Sequence, residues 1–346
     1  MNLANRNNAL VWGLAGVGAV LAAKMLLSKS RAIGLADKVV VVTGGSRGLG
    51  LVLAREAAKE GAKVAICARD ISELKVAKQD LEERGANVFT YPCDVTNKAE
   101  VGQFINAVRM EFGQIDVLIN NAGVIQVSPV EHLTAKDYQE SLKTHFWAAF
   151  NTINEVFPDM RRRREGRIVN ISSIGGKVPF PHLNSYVVGK FALAGYSEGL
   201  RAEVLQDGVY VTTVCPGLIR TGSPRNATFK GQNEKEYAWF KNSDSLPGLS
   251  TSAEDCARQI IAATKRGDAE LIVTLPAKIG AAVHGLFPGL TADLLSLVNQ
   301  FVLPAAGSIG EKSALGKQSE SAASETSLTA LTDAAAERNN EKQSVN

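Results

Sequence analysis

The sequence predicts an α/β fold: a Rossmann-like, doubly wound, seven-stranded parallel sheet with helices on both faces. Three observations favour it. Between residues 37 and 275, short runs rich in valine, isoleucine, leucine and alanine alternate with longer amphipathic stretches. The short runs are apolar throughout, which is typical of strands that are buried on both faces. A glycine-rich turn follows the first run directly and opens a helical pattern.

Seven segments are predicted as strands: 38–43, 62–68, 86–91, 115–120, 166–172, 209–215 and 269–275. The stretches between them are long enough for the crossover helices that parallel neighbours require. The last of these helices is predicted to begin at Thr251, where the letters TSAE have the spacing of a capping box.

Bulk composition narrows the function. The chain has 346 residues, of which 45% are apolar and 21% charged, enough for one large domain with extensions. Its 38 basic and 35 acidic residues are too nearly balanced to indicate a nucleic-acid partner. The arginine run 161–164 is interpreted as the solvated end of a helix. No metal site is expected, because no cysteine or histidine spacing suits zinc, and the four cysteines are interpreted as reduced thiols.

The chain divides into four segments by composition. A hydrophobic N-terminal segment covers residues 1–32, and the α/β domain covers residues 33–275. An apolar, proline-punctuated extension follows over residues 276–306; it could cover the active site, touch a membrane or pack against a partner chain. Residues 307–346 are dominated by Ser, Ala, Glu, Lys and Asn, which predicts a disordered tail.

The N-terminal segment contains an apolar stretch, residues 9–27, interrupted only by Lys24 and followed by Lys29 and Arg31. Its length suits a short membrane span, and the basic residues after it would keep the domain in the cytoplasm. We therefore expect membrane association. The alternative is an amphipathic or core-packing helix on a cytoplasmic protein. A secretory signal is disfavoured, because no small-residue cleavage site precedes the domain.

The glycine-rich turn, residues 43–50 with the letters TGGSRGLG, is called the glycine loop below. Glycines at a strand-to-helix turn let the backbone approach a diphosphate, whose charge is met by N–H groups at the helix start. The spacing therefore predicts a dinucleotide cofactor.

A second constellation lies further along the chain. Tyr186 and Lys190 are four positions apart, so on a helix they share one face. Ser173 directly follows the fifth predicted strand, thirteen positions before Tyr186. A phenol has an ordinary pKa of about 10, which a nearby ammonium lowers. We assign Tyr186 as general acid and base, Lys190 as the group that lowers its pKa, and Ser173 as a hydrogen-bond donor to the reacting oxygen.

Together, TGxxxGxG, the NNAG of residues 120–123, Ser…YxxxK and the PGxxxT of residues 216–221 resemble the short-chain dehydrogenase/reductase family over nearly all of residues 37–275. The resemblance implies hydride transfer between a nicotinamide and a carbonyl or alcohol. It also implies a dimer or tetramer, and a substrate lid at residues 222–250 that carries Tyr237, Trp239 and Phe240. The implied cofactor-binding residues are Thr43, Gly44, Ser46, Arg47, Gly48, Leu49, Gly50, Arg69, Asp94, Val95, Asn121, Ala122, Gly123, Tyr186, Lys190, Pro216, Gly217, Ile219 and Thr221.

Cofactor choice depends on the end of the second strand. Ala68 stands where NAD-specific family members carry an acid, with Arg69 next to it and Arg47 in the glycine loop. Two guanidinium groups suit a 2′-phosphate, which favours NADP(H) over NAD. Asp70 would oppose this preference if it faced the ribose.

One position departs from the family pattern. Counting back from residues 157–160, His145 stands where the family's catalytic asparagine is usual. It is either a passive replacement or a proton relay, since histidine titrates near neutrality. His132, His182 and His284 are interpreted as surface or packing residues, although His182 is near enough to Tyr186 in sequence to line the substrate pocket.

The sequence thus predicts an NADP(H)-dependent oxidoreductase for a small hydrophobic carbonyl or alcohol. The alternative is a non-enzymatic NADP-binding redox sensor or scaffold. A third interpretation treats the terminal segments as oligomerisation surfaces without a membrane role.

Overall fold

In the computed structural model, which describes residues 30–342, the seven predicted strands form one parallel sheet. In chain order they are β1 (Val39–Thr43), β2 (Lys63–Ala68), β3 (Val88–Pro92), β4 (Val117–Asn120), β5 (Gly166–Ile171), β6 (Val209–Pro216) and β7 (Glu270–Val273). Their order across the sheet is β3-β2-β1-β4-β5-β6-β7. The order reverses direction between β1 and β4, which opens a crevice at the carboxyl ends of these strands.

Eleven helices are described in the residues 30–342. They are α1 (Gly48–Lys59), α2 (Ile71–Glu83), α3 (Lys98–Phe112), α4 (Ala135–Leu142), α5 (Ala148–Arg163), α6 (Asn184–Val204), α7 (Asn233–Ser245), α8 (Ala253–Arg266), α9 (Leu275–Leu286), α10 (Pro288–Phe301) and α11 (Ala330–Arg338). A π-helical turn, Lys143–Trp147, joins α4 to α5.

The hydrophobic core has two halves because alternate strand residues point to opposite faces of the sheet. Val40 and Val42 pack with α1, α2 and α8 on one face. Val39 and Val41 pack with α3, α5 and α6 on the other. Both faces are covered by helices, as the apolar strands predict, and the doubly wound fold is confirmed.

Two local predictions differ in detail from the structure. Helix α8 begins one residue later than expected: Ser252 is its N-cap and accepts a hydrogen bond from the amide of Asp255 at 3.0 Å. The arginine run does end helix α5, but Arg163 points inward and pairs with the buried Asp116 at 3.2 Å. The run is therefore only partly solvated.

The apolar extension forms a helical hairpin of α9 and α10, which follows β7 at the carboxyl edge of the sheet. One side of this hairpin lines the crevice through Val283, Leu295 and Val298. Its other side leaves large apolar side chains exposed, among them Leu290 and Phe301. The hairpin therefore forms one wall of this crevice.

The predicted disorder from residue 307 onward is wrong for the described part of this tail. Residues 314–315 pair with residues 228–229 as a short antiparallel strand, and α11 packs on the lid. Short polar side chains make this possible, because the hydroxyls of buried Ser324 and Thr329 hydrogen-bond to nearby backbone instead of to water. The sequence composition shows none of these contacts.

The predicted membrane segment, residues 9–27, lies outside the described residues. Within residues 30–342, no helix has the length and hydropathy that a membrane crossing requires.

Candidate active site

A single cavity of about 1240 Å³ runs along the carboxyl edge of the sheet. Every cofactor-binding and catalytic residue predicted from the sequence lines it except Thr43. The fold therefore brings together residues from Gly44 to Thr221, including the adenine-side Asp94 and Val95 and the turn of Pro216, Gly217 and Ile219.

The glycine loop needs its glycines for close packing. A Cβ on Gly50 would lie 2.0 Å from the carbonyl oxygen of Gly44, and one on Gly44 would lie 2.9 Å from the Cα of Ala122. Thr43 is behind the cavity, where its hydroxyl accepts hydrogen bonds from the amides of Asn121 and Ala122 at 3.0 and 3.1 Å. Thr43 therefore joins the glycine loop to the NNAG turn, a structural role that the resemblance did not specify.

Helix α1 starts in the cavity without a side-chain cap, because its N-cap residue Arg47 makes no capping hydrogen bond. The N–H groups at a helix start that has no cap from its own N-cap side chain, together with the helix dipole, favour an anion at this point. The site therefore fits the diphosphate of a dinucleotide.

An acidic residue that was not predicted from the sequence, Glu73, binds two side chains of the glycine loop. Glu73, buried in the first turn of α2, accepts a hydrogen bond from Ser46 Oγ at 2.8 Å and pairs with Arg47 at 2.9 Å. Its position three residues after the N-cap Asp70 places it in the first turn of α2, but no signal in the sequence places that turn beside the loop. Arg47 is thus a paired cation rather than a free one.

Arg69 and Asp70 differ sharply in their surroundings. The carboxylate of Asp70 caps α2 by accepting from the amides of Ser72 and Glu73 at 2.7 and 3.0 Å. One of its oxygens is therefore engaged by the start of α2, although the side chain still lines the cavity. Arg69 is exposed, lines the cavity and makes no hydrogen bond or ion pair within residues 30–342.

Ser173, Tyr186 and Lys190 converge at the other end of the cavity. Ser173 and Tyr186 flank Gly175, where a Cβ would lie 3.5 Å from the serine oxygen and 3.2 Å from the tyrosine ring. Lys190 is 5% exposed, and its Nζ donates to the carbonyl oxygen of Ile171 at 2.9 Å. The same Nζ lies 5.6 Å from the centre of the Tyr186 ring. The i, i+4 arrangement on α6 is thus confirmed.

Burial controls the protonation of this group. It raises the pKa of Tyr186 to about 12, while a hydrogen bond with Ser173 acts in the opposite direction. Burial lowers the pKa of Lys190 to about 7. Burial dominates the pKa of Tyr186 here, and the lowering of this pKa by Lys190 stays a prediction.

His145 lies in the π-helical turn, a distortion that is frequent at functional sites. It is 2% exposed, and its ring meets the Tyr186 ring edge-on at a centroid distance of 5.3 Å. Nε2 lies 2.9 Å from the carbonyl oxygen of Val124, so Nε2 carries the proton and Nδ1 is left as an acceptor. Buried Nδ1 has no hydrogen-bond partner within residues 30–342 and lies, like Lys190 Nζ, beside Gly123.

The pKa of His145 falls well below its usual value, first because of burial and second because of the Lys190 charge. The imidazole is therefore neutral at physiological pH. This favours a fixed hydrogen-bond acceptor over a proton relay that would pass through an imidazolium.

The substrate end of the cavity is mostly apolar. Trp239 and Phe240 of the lid line it, whereas Tyr237 packs against Phe229 and is fully buried away from it. One buried acid, Asp244, also lines this end; one of its carboxylate oxygens has no hydrogen-bond partner in residues 30–342. Burial raises its pKa to about 8.

The remaining histidines do not line the cavity. His182 pairs with the buried Glu236 at 2.8 Å, so it is a packing residue. His132 accepts a hydrogen bond from the amide of Gly307 at 2.9 Å. All four cysteines are free and buried, and no group of metal-ligating side chains is found in the described residues.

The sheet, the helix start beside the glycine loop and the Ser-Tyr-Lys group define an NAD(P)-dependent oxidoreductase. A family model described as short chain dehydrogenase matches residues 38–230, more than half of the chain. The chain belongs to this family. One relative, a dehydrogenase/reductase SDR family protein 7-like from Anopheles gambiae, is 32% identical over 289 residues, covering 79% of this chain and 89% of the relative.

Solved structures agree with this assignment. L-Sorbose reductase from Gluconobacter frateurii, complexed with NADPH and L-sorbose, has a TM-score of 0.63 and 27% identity, covering 70% of this chain and 97% of its own. A variant of actinorhodin polyketide ketoreductase with NADPH has a TM-score of 0.63 and 28% identity, covering 72% of this chain and 99% of its own.

Proposed function

We propose that this protein is an NADP(H)-dependent reductase of a small hydrophobic ketone or aldehyde. The convergence of Ser173, Tyr186 and Lys190 on the cavity that also holds the glycine loop is the observation that carries the proposal. When bound, NADP(H) supplies the hydride. The apolar lid residues and the helical hairpin support a hydrophobic substrate, and reduction is the expected direction in a cell that keeps its NADP pool reduced.

Each member of the group has a separate task. Tyr186 Oη holds the proton that the substrate oxygen takes up, and it recovers a proton afterwards. The hydroxyl of Ser173 donates a hydrogen bond to the same oxygen as negative charge develops on it. Lys190 in its charged form holds the cofactor ribose and stabilises the phenolate. Because burial alone leaves the pKa of Tyr186 near 12 and that of Lys190 near 7, a bound anionic cofactor would favour the lysine cation that the phenolate needs.

His145 is proposed to hold the lysine end of this group in place. Its Val124 hydrogen bond leaves Nδ1 free to accept from Lys190 directly or through a water. His145→Asn should therefore preserve much of kcat, whereas His145→Phe, which cannot accept a hydrogen bond, should lower kcat by about tenfold or more. A shift in the pH profile of kcat in the Phe variant would distinguish positioning from simple loss of packing.

Arg69 is proposed as the main ligand of the 2′-phosphate, because it follows the end of β2, lines the cavity and has no ion pair within residues 30–342, while Arg47 is already held by Glu73. Charge-assisted hydrogen bonds are worth about 1.5–3 kcal/mol, or roughly 10- to 100-fold in Kd. Arg69→Ala should weaken NADPH binding by this factor and leave NADH binding within about twofold. Equal losses for both cofactors would contradict the assignment.

The activity test uses the full chain, NADPH or NADH, and a panel of hydrophobic aldehydes and ketones. Turnover with NADPH should disappear in Tyr186→Phe and persist in Tyr210→Phe, a matched control whose ring packs on Arg167 at 4.2 Å, outside the cavity. Tight NADPH binding without turnover on the whole panel would instead favour the sensor or scaffold function.

The N-terminal stretch 9–27 is proposed as a membrane anchor that keeps the domain in the cytoplasm. Arg31 should be retained in the test, because its backbone and side chain bind Arg167 and the carbonyl of Arg266. Deletion of residues 1–28 should move the protein from the membrane pellet to the supernatant. A shortened protein that stays in the pellet would contradict the anchor. Leu290→Glu, which puts a charge on the exposed side of the helical hairpin, would then test whether the hairpin binds the membrane.

A further inference from the structure

The C-terminal segment, residues 330–342, lies across the nucleotide end of the cavity. Helix α11 fastens this segment to the lid: Asp333 pairs with Lys241 at 2.9 Å, and Thr332 shares a 2.7 Å hydrogen bond with Ser245. The residues after α11 then continue to the glycine loop.

These last residues bind the start of helix α1. The amide of Gly48 donates to the carbonyl oxygen of Asn339 at 2.8 Å. The side-chain amide of Asn340 donates to the carbonyl oxygen of Ser46 at 2.9 Å. The carboxylate of Glu341 lies 3.5 Å from Arg47 Nε. Its other oxygen is so near Gly48 that a Cβ on this glycine would lie 2.4 Å from it. The tail thus supplies the cap that α1 itself lacks.

The same residues also reach the opposite wall of the groove. Asn226 Nδ2 donates to the backbone carbonyl and to the carboxylate of Glu341 at 3.0 and 2.6 Å. Asn339 Nδ2 lies 3.5 Å from the carbonyl oxygen of Thr221. Glu341 is only 4% exposed, so it is held between the two walls rather than lying over them.

We propose that the C-terminal segment is an internal competitor of the cofactor, with Glu341 occupying the subsite of an anionic phosphate group. The proposal rests on the proposed function, since it takes the groove to be the NADP(H) site. Binding of the cofactor then requires residues 339–342 to leave the groove.

Two physical reasons favour competition over a strap that closes on bound cofactor. The Gly48 amide has one hydrogen, which a phosphate oxygen and the Asn339 carbonyl cannot both accept at full strength. A buried carboxylate beside a diphosphate also places like charges in a region of low dielectric, which is costly. Burial raises the pKa of Glu341 to about 7, so experiments at pH 8 examine the charged form.

Three variants of the full chain test the proposal by NADPH titration at pH 8. A chain that ends at Arg338 lacks the competitor but keeps α11. Asn340→Gly removes the side-chain hydrogen bonds to the carbonyl oxygens of Ser46 and Glu73, and glycine suits the positive φ of 59° at that position. Glu341→Gln removes the charge. The matched control is Glu311→Gln, an exposed acid of the same tail that makes no hydrogen bond or ion pair within residues 30–342.

If the C-terminal segment occupies the groove in about nine molecules of ten at equilibrium, its removal should lower the Kd for NADPH about tenfold. Asn340→Gly and Glu341→Gln should each give part of this gain, and Glu311→Gln none. An unchanged or weaker Kd in the shortened chain overturns the competition, whereas a chain that binds no NADPH in any form overturns the cofactor assignment as well.

Hydrogen exchange of the full-length protein gives an independent readout, should the shortened chain be unstable. Saturating NADPH should speed exchange of the Glu341 amide, which donates to Ala336 at 2.8 Å. Slower exchange at this position would show a closing strap and overturn the proposal.

Discussion

Replacing the buried Lys190 by methionine should change how the stability of the protein depends on pH. Burial lowers the pKa of this lysine from 10.5 to about 7. Between these two values the unfolded chain binds more protons than the folded one, so the free energy of unfolding rises with pH. The penalty for burying the cation is complete below pH 7 and is lost as the pH approaches 10.5.

The size of the effect follows from the two pKa values. At 1.36 kcal/mol for each pKa unit, the penalty is roughly 5 kcal/mol below pH 7 and slightly smaller near pH 7. Methionine keeps the straight chain but loses the hydrogen bond to Ile171, worth about 1–1.5 kcal/mol, and leaves that carbonyl unpaired at a cost of about 1–3 kcal/mol. Lys190→Met should therefore be more stable than the wild type at pH 6.5 by about 1 kcal/mol, less stable at pH 10, and inactive.

Urea unfolding followed by tryptophan fluorescence, without nucleotide and at several pH values from 6.5 to 10, measures this difference. Lys177→Met is the control. Hydrogen bonds from Lys177 to Glu198 and Glu270 raise the pKa of that lysine despite partial burial. The stability that the charged lysine contributes is therefore present throughout this pH range. Lys177→Met should be less stable than the wild type at every pH tested. Parallel pH curves for the wild type and Lys190→Met would refute the reasoning.

Three further predictions concern other positions. Hydrogen bonds, chiefly from Lys230, outweigh burial and lower the pKa of Asp137 to about 2. Asp137→Asn should therefore be less stable than the wild type above pH 4. Measured at decreasing pH, the difference in the free energy of unfolding should vanish towards pH 2. Gly50→Ala should cost at least about 2 kcal/mol in a urea melt and abolish NADPH binding, whereas Gly195→Ala, in open space on a helix, should stabilise by up to about 1 kcal/mol. Because burial raises the pKa of Asp244 to about 8, the wild type should lose stability relative to Asp244→Asn as the pH rises from 4 to 8; equal pH curves would contradict this.

The sheet could be predicted from the sequence because its information is local. Each strand is a continuous apolar run, and a run such as Val39–Thr43 with no exposed position is compatible only with helices on both faces. Residues that meet through a known motif, such as Tyr186 and Lys190, could be predicted for the same reason.

Contacts between distant segments could not be predicted in this way. Glu73 reaches Arg47 only because α2 packs beside the glycine loop, and Glu341 reaches the same arginine from nearly three hundred residues away. The composition of the tail indicates disorder because polar residues rarely bury enough apolar surface to fold. Docking onto an existing lid removes that requirement, since the lid provides the partners.

The helical hairpin of α9 and α10 has a practical consequence for enzymology. Leu294 lines the cavity and is still 51% exposed, so one layer of apolar side chains separates the substrate from the surroundings. A detergent micelle or a lipid that covers the outer side would change the packing of that layer. We expect KM for hydrophobic substrates to vary with the assay medium more strongly than kcat, and substrate panels should be compared in one medium.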